Sequence, residues 1–304
     1  MNVVIKVNDE VKQKMIEYYK DKMRDKKIPY VVFQAKDEDT VITMYESGKV
    51  MFQGVSADVD ASMWGTILSN TKEEQEKQKE KDSIYHNCSS VGSDEVGTGD
   101  YFGPIVVTAT YVSKDNAKYL EDLGIRDSKK LTDDFILKVT PELIKKIPYR
   151  SLILTNKEYN EKYSKDINMN KIKAIMHNKV LYQIMQDLKP EVDYIIVDEF
   201  AREARYYDYI KDVVPNVQRG ITFVQKAEDK NLAVGAASII SRYIFLKEFD
   251  KLCDEVGLPL PKGAGPEVDK VGEELVNKYG EEKLKDVAKY NFKNTQRILK
   301  TLIF

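Results

Sequence analysis

The chain has 304 residues and a net charge of −2, with charged residues abundant but mixed in sign, so overall charge does not advertise a nucleic-acid binder. Any phosphate-binding face must come from local clustering. Two cysteines, Cys88 and Cys253, exclude a disulfide framework, and two scattered histidines, His86 and His177, exclude a zinc site or a histidine-led triad. The length allows one large or two modest domains with a sizeable core. The opening MNVVIKVNDE has neither the basic start nor the long apolar core of a signal peptide. No apolar run approaches a membrane span. The expectation is a soluble, cytoplasmic protein.

In chain order, Val3–Val7 reads as a strand, and Asn8 or Asp9 is placed to cap a helix running to about Arg24. Three short β-like runs follow, at Tyr30–Phe33, Thr40–Tyr45 and Val50–Phe52, the last two joined across the hairpin signal Glu46-Ser47-Gly48. Trp64, Ile67 and Leu68 suit a closing helix. Residues 1–70 thus form a small α+β domain. The run TKEEQEKQKEKD, Thr71 to Asp82, has no apolar residue and marks a charged linker, taken as residues 71–86. Residues 87–304 form the larger domain. Strands are expected at Val106–Val112, Ser151–Thr155, Tyr194–Asp198 and Ile221–Gln225. Ile172, Ile175, Val180, Ile184 and Leu188 mark one face of a long helix, and Ile239, Ile240, Tyr243, Leu246, Phe249 and Leu252 mark another. A meander followed by strands alternating with helices predicts an α/β fold, a mixed sheet covered by helices.

The chemistry concentrates in GSDEVGTGDYFGP, Gly92 to Pro104. Adjacent carboxylates, Asp94 and Glu95, stand beside the glycine-spaced turn Gly97-Thr98-Gly99, which lets backbone approach a ligand closely. Acids at a strand end in that setting point to a divalent metal and a phosphate. Adjacent residues on a regular strand face opposite ways, so the pair shares a site only where the strand ends or distorts. Asp198 follows the apolar run Tyr194–Val197, where open α/β sheets place their ligand sites. A further acid, Glu228 or Asp229, precedes the small-residue run Gly235-Ala236-Ala237-Ser238 that opens an apolar helix. Two carboxylates about 4 Å apart repel by roughly 4 kcal/mol at an effective dielectric near 20. A pocket of three or four therefore needs cations, and oxygen-only ligands favour Mg²⁺ or Mn²⁺.

With these residues assembled, the chain resembles the type 2 ribonuclease H family, in its ribonuclease HIII branch, over nearly its whole length. GSDEVGTGDYFGP, Asp127-Ser128-Lys129-Lys130-Leu131, Val197-Asp198 and KAEDKNLAVGAASIISR resemble the family's four ordered blocks. The resemblance implies a ribonuclease H-like catalytic domain and a TATA-binding-protein-like N-terminal domain that helps hold the substrate. It carries the catalytic, metal-binding acids over to Asp94, Glu95, Asp198 and Glu228, with Asp229 open as the alternative to Glu228. It implies nucleic-acid contacts at Gly97, Thr98, Gly99, Lys129, Lys130 and Ser238, two Mg²⁺ or Mn²⁺ ions during catalysis, and an RNA–DNA hybrid as partner. Neither a membrane nor a protein partner is implied. Ala264, in Lys262-Gly263-Ala264-Gly265, stands where the HII branch carries a tyrosine that stacks at an RNA–DNA junction. Tyr30, Phe33, Tyr45 and Phe52 are open between stacking on nucleic acid and filling the core. The expected activity is metal-dependent cutting of the RNA strand of hybrids, to 5′-phosphate and 3′-hydroxyl ends. An HII-type junction nuclease, a DNA-cutting nuclease and a non-catalytic nucleic-acid-binding protein of the same fold stand as alternatives.

Overall fold

Period-two alternation of apolar side chains builds the first sheet. The computed structural model describes residues 2–24, 28–65, 84–125, 131–212 and 214–303. Two units divide the chain: Met1–Ile84 with Glu199–Arg205, and Tyr85–Asp198 with Tyr206–Phe304. The first contains β1 (Asn2–Lys6), α1 (Asp9–Tyr19), β2 (Val31–Asp37), β3 (Thr40–Tyr45), β4 (Lys49–Gly54) and α2 (Ala57–Ser62). Its strands are antiparallel in the order β1-β4-β3-β2. Asn8 caps α1, its Oδ1 accepting from the Val11 N–H at 2.9 Å. That helix ends at Tyr19 and passes into a 3₁₀ turn over Lys20–Lys22, short of the expected Arg24.

One face of this sheet sends Val3, Ile5, Phe33, Ala35, Ile42, Met44, Val50 and Phe52 into a core closed by Met15, Tyr19, Ala57 and Ala61. Of the four aromatic residues left open by the sequence, Phe33 and Phe52 are therefore core. Tyr45 is half-buried, and Tyr30 is 77% exposed. The opposite face lines up Asn2, Gln53, Val41 and Lys36 in one row and Val4, Met51, Thr43 and Gln34 in the next. The short helix α2 precedes the expected closing helix, and Trp64 packs on this core and donates its indole N–H to the Tyr19 hydroxyl at 3.0 Å. Ile67, Leu68 and the linker residues 71–83 lie outside the described residues.

The second unit begins at Tyr85, two residues inside the stretch expected as linker. The Tyr85 ring meets Tyr194 edge-on at 5.2 Å, and the Tyr85 carbonyl accepts from Asn231 Nδ2 at 2.8 Å. This unit's strands are β5 (Ser90–Val96), β6 (Ile105–Val112), β7 (Tyr149–Leu154), β8 (Tyr194–Asp198) and β9 (Ile221–Val224). They lie in the order β7-β6-β5-β8-β9. β5, β6 and β7 form the antiparallel meander, while β8 and β9 run parallel to β5. The helices are α3 (Lys114–Asp122), α4 (Asp133–Lys146), α5 (Asn156–Lys162), α6 (Met169–Leu188), α7 (Glu203–Ile210, its first three residues counted with the first unit), α8 (Leu232–Val256), α9 (Pro266–Tyr279), α10 (Glu282–Val287) and α11 (Lys293–Ile303).

α6 and α8 cover opposite faces of the sheet around β5. Gly92 faces α8 so closely that a Cβ there would stand 2.5 Å from the Val234 backbone nitrogen. Its neighbour Ser93 faces the other way, its hydroxyl 2.8 Å from His177 Nδ1 on α6. No helix among the described residues is long and apolar enough to cross a membrane.

Candidate active site

β5 continues in regular antiparallel register through both acids, Asp94 opposite Thr108 and Glu95 opposite Val107. Pairing with β8 stops at Ser93 and the strand ends at Val96, one residue past Glu95, while the pleat kept on the β6 side sends the two carboxylates to different faces. Asp94 turns toward α8, where the Ser238 hydroxyl hydrogen-bonds its carboxylate. One turn further along α8, Ser241 Oγ donates to the Asp94 carbonyl at 3.1 Å. Glu95 turns toward α6. Lys173 Nζ lies 2.5 Å from its Oε1, and His177 Nε2–H donates to its Oε2 at 2.9 Å.

Asp198 is the last residue of β8, where its Oδ1 accepts from the Ala227 N–H at 3.0 Å. That bond ties it to the 3₁₀ turn Ala227–Asp229, which carries Glu228. Glu228 is 8% exposed, whereas Asp229 points to solvent. Of the two candidates for the fourth acid, the fold therefore turns Glu228 inward. Asn231 fixes the turn to the helix that follows, its Oδ1 accepting from the N–H groups of Ala233 and Val234. Its Nδ2 donates to Ser90 Oγ at 2.9 Å, joining the start of α8 to β5.

The acids feel one another. Burial, followed by the charges of Glu95, Asp198 and Glu228, holds the Asp94 carboxyl well above the usual carboxylate range, against the opposing bond from Ser238. Burial and then Glu228 push Asp198 up to about 6. Burial also acts to raise Glu95, but Lys173 and His177 outweigh it and leave the group at about 2. Asp94 and Asp198 are thus short of positive charge, while Glu95 has its own.

This donor set fits a hard divalent cation: every candidate ligand is a carboxylate oxygen, and Asp94 and Asp198 carry mutual repulsion that a cation would relieve. Among the described residues, however, no three histidine, cysteine, aspartate or glutamate side chains are grouped so as to hold a metal ion.

A pH dependence follows from Asp198. Its carboxyl is raised from 3.8 to about 6 in the folded chain. The stability linked to its protonation is complete below pH 3.8 and lost as pH rises through about 6, a loss of about 3 kcal/mol. In EDTA, denaturant unfolding of the wild type should weaken across this window relative to Asp198→Asn, which cannot titrate there. Parallel stability curves for the two proteins would contradict the clustering.

The glycine turn beside the acids is built tightly. Gly97 has φ +89°, and a Cβ there would lie 2.1 Å from the Pro104 carbonyl oxygen. At Gly99 a Cβ would meet nothing within 4 Å. The following segment is pinned from below by Lys289, a fully buried residue whose Nζ donates to the carbonyls of Asp100 and Gly103, each at 2.7 Å. Burial pushes this amine down to about 7. The same segment is stitched to the stretch holding Ala264. Gly263 N–H donates to Asp100 Oδ1 at 2.6 Å, and Tyr101 N–H donates to the Gly263 carbonyl at 2.8 Å. Lys262 and Arg242 flank it, both paired to Asp133. Lys129 and Lys130 lie outside the described residues.

Lys173, His177 and Lys289 were not singled out from the sequence. For the first two a signal exists: they stand four residues apart, hence on one side of α6, a side that also carries apolar residues. Lys289 has no such pattern around it.

A mixed five-stranded sheet with clustered acids at its centre defines a nuclease of the ribonuclease H class, and known proteins agree. Residues 91–295 match the family described as Ribonuclease HII, and residues 2–77 match a domain of unknown function. A ribonuclease HIII of Bacillus cereus is 39% identical over 307 residues, with 99% of each chain covered. One of Lysinibacillus sphaericus is 39% identical over 306 residues, again with 99% of each covered. The solved structure of Bst-RNase HIII in complex with Mn²⁺ superposes with a TM-score of 0.72 at 36% identity, covering 99% of both chains. Ribonuclease H2 from Pyrococcus horikoshii OT3 gives 0.56 at 25% identity over 71% of this chain and 99% of its own. The chain belongs to the ribonuclease HIII family.

Proposed function

We propose that this ribonuclease H is a divalent-metal-dependent endonuclease that cuts the RNA strand of RNA–DNA hybrids, leaving 5′-phosphate and 3′-hydroxyl ends. The observation that carries the reading is that Asp94 and Asp198 are raised by burial first and then by acidic neighbours that include Glu228 and Glu95, the latter next to Asp94 in the chain. We assign all four as ligands, for two Mg²⁺ or Mn²⁺ ions. The Mn²⁺ complex of Bst-RNase HIII supports the choice of cation. Bound there, such ions supply a lowered pKa for the attacking water and neutralise charge on the leaving 3′ oxygen.

The protein's own part is positional. Ser238 and Ser241 hold Asp94 from α8, and the Ala227 N–H holds Asp198 beside the Glu228 turn. The Gly97-Thr98-Gly99 backbone meets the strand being cut, and the exposed, unencumbered Gly99 supports that contact. Lys129 and Lys130 serve phosphates. The 2′-hydroxyls, read across the shallow minor groove, separate RNA from DNA. The N-terminal domain adds a further grip on the hybrid, for which Asn2, Gln34, Lys36 and Gln53, set among Val4, Val41 and Met51 on one sheet face, offer polar and basic groups.

The test is a strand-labelled cleavage assay on a hybrid and on duplex DNA of the same sequence, with Mg²⁺, Mn²⁺ or EDTA. RNA-strand cutting confined to the hybrid and abolished by EDTA is expected. Equal cutting of duplex DNA would establish the DNA-nuclease alternative. Hybrid binding without any cutting would establish the non-catalytic one.

A further inference from the structure

Glu95 is treated differently from the other acids. Both of its carboxylate oxygens are engaged by α6, Oε1 by Lys173 at 2.5 Å and Oε2 by His177 at 2.9 Å. Lys173 and Glu95 are each 12% exposed at the side chain, and His177 is 0% exposed. An ion pair so far out of bulk water is screened little and is hard to leave half-broken. His177 is itself located by Ser93, two residues before Glu95 on the same face of β5. Lys173 and His177 lie one turn apart on α6, which packs on the sheet face opposite α8. The partition is therefore built in: α8 serves Asp94, and α6 serves Glu95.

We propose that Lys173, as an internal counter-ion, and His177, as a hydrogen-bond donor, are positioning residues that hold Glu95 on the α6 side when no metal is bound and yield it when a cation enters. The proposal rests on the metal site proposed above. Lys173 and the cation compete for one carboxylate. Lys173 therefore weakens cation binding and stabilises the metal-free protein, and the two effects are linked reciprocally.

The test uses the full chain and Mn²⁺ alone, without nucleic acid. Isothermal titration should show Lys173→Met binding Mn²⁺ more tightly than the wild type, by at least about fivefold. Lys173→Arg, which keeps the charge, should stay near the wild-type affinity. In EDTA the Lys173→Met melting temperature should fall, and saturating Mn²⁺ should recover more of it than in the wild type. A merely structural lysine would not tighten binding when removed. Unchanged or weaker Mn²⁺ binding by Lys173→Met overturns the counter-ion. A second measurement needs no variant. Reductive methylation of the wild type, read by peptide mass spectrometry, should label Lys173 faster with Mn²⁺ than with EDTA, and equal labelling overturns the proposal. A wild type that binds no Mn²⁺ removes the metal site and the counter-ion together. Binding by the wild type that is indifferent to Lys173 removes the counter-ion alone.

Discussion

Asp94→Asn and Asp198→Asn should each leave a folded protein that still binds hybrid but hydrolyses it at least about a thousandfold more slowly. An amide keeps the size of the side chain and loses the anionic oxygen that a hard cation needs. The electrostatic stabilisation forfeited is several kcal/mol, and each 1.36 kcal/mol is about tenfold in rate. The same substitutions carry a second signature. Each removes a carboxyl that burial, and then acidic neighbours, hold above its usual range. In EDTA near neutral pH both variants should therefore melt higher than the wild type. Turnover close to wild type in either variant would falsify the site. Loss of turnover with a lowered metal-free melting temperature would mean that the acids hold the fold together rather than gather a cation.

A second large effect is expected in substrate choice. The protein should cut continuous RNA in a hybrid far faster than a lone ribonucleotide in duplex DNA. One ribonucleotide offers one 2′-hydroxyl, so an enzyme must also recognise the neighbouring deoxyribose to find it. An aromatic ring stacked there would contribute roughly 1–3 kcal/mol, by analogy with base stacking. Ala264 offers a methyl group and is packed against the core. Its carbonyl is held by Asn294 Nδ2 at 3.0 Å and Arg297 Nη2 at 3.2 Å, while its neighbour Gly263 is stitched to Asp100. The segment thus sits beside the glycine turn with nothing on it to stack. Initial rates on the two substrates at matched length, metal and salt decide the matter. Comparable rates would favour an HII-type junction nuclease.

The site was legible wherever its residues carried their own local context. Asp94 and Glu95 were marked by the glycine turn beside them, Asp198 by the apolar run before it, and Glu228 by the small residues that follow. Gly92 and Val234 show why that small-residue signal exists, since sheet and helix approach there to backbone contact. The meander and the parallel strands were legible because β6 and β8 are nearly continuous apolar runs. What escaped was pairing across the chain. Lys173 and His177 lie about 80 residues from Glu95, and periodicity along one helix says nothing about which acid will face it. Lys289 escaped for the same reason, because a lone lysine reads as solvated until the loop it caps folds over it. The helix α2 was missed because six residues are too few to display a period.

The strand order has a consequence for how the protein is made. β5 sits mid-sheet, with β6 directly following it in the chain but its other neighbour, β8, about 100 residues later. During synthesis at about 5–20 residues per second, one edge of the strand bearing Asp94 and Glu95 waits about 5–20 seconds for its partner. An unpaired edge of that kind invites pairing with other chains. Glu228 and α8 emerge later still, so no ribosome-bound intermediate short of them holds the full set of acids. On the site proposed above, the four acids can come together only after residue 228 of the 304 has emerged. The same late closure makes the nascent strand, more than the finished protein, the place where heat or a core substitution would cost yield.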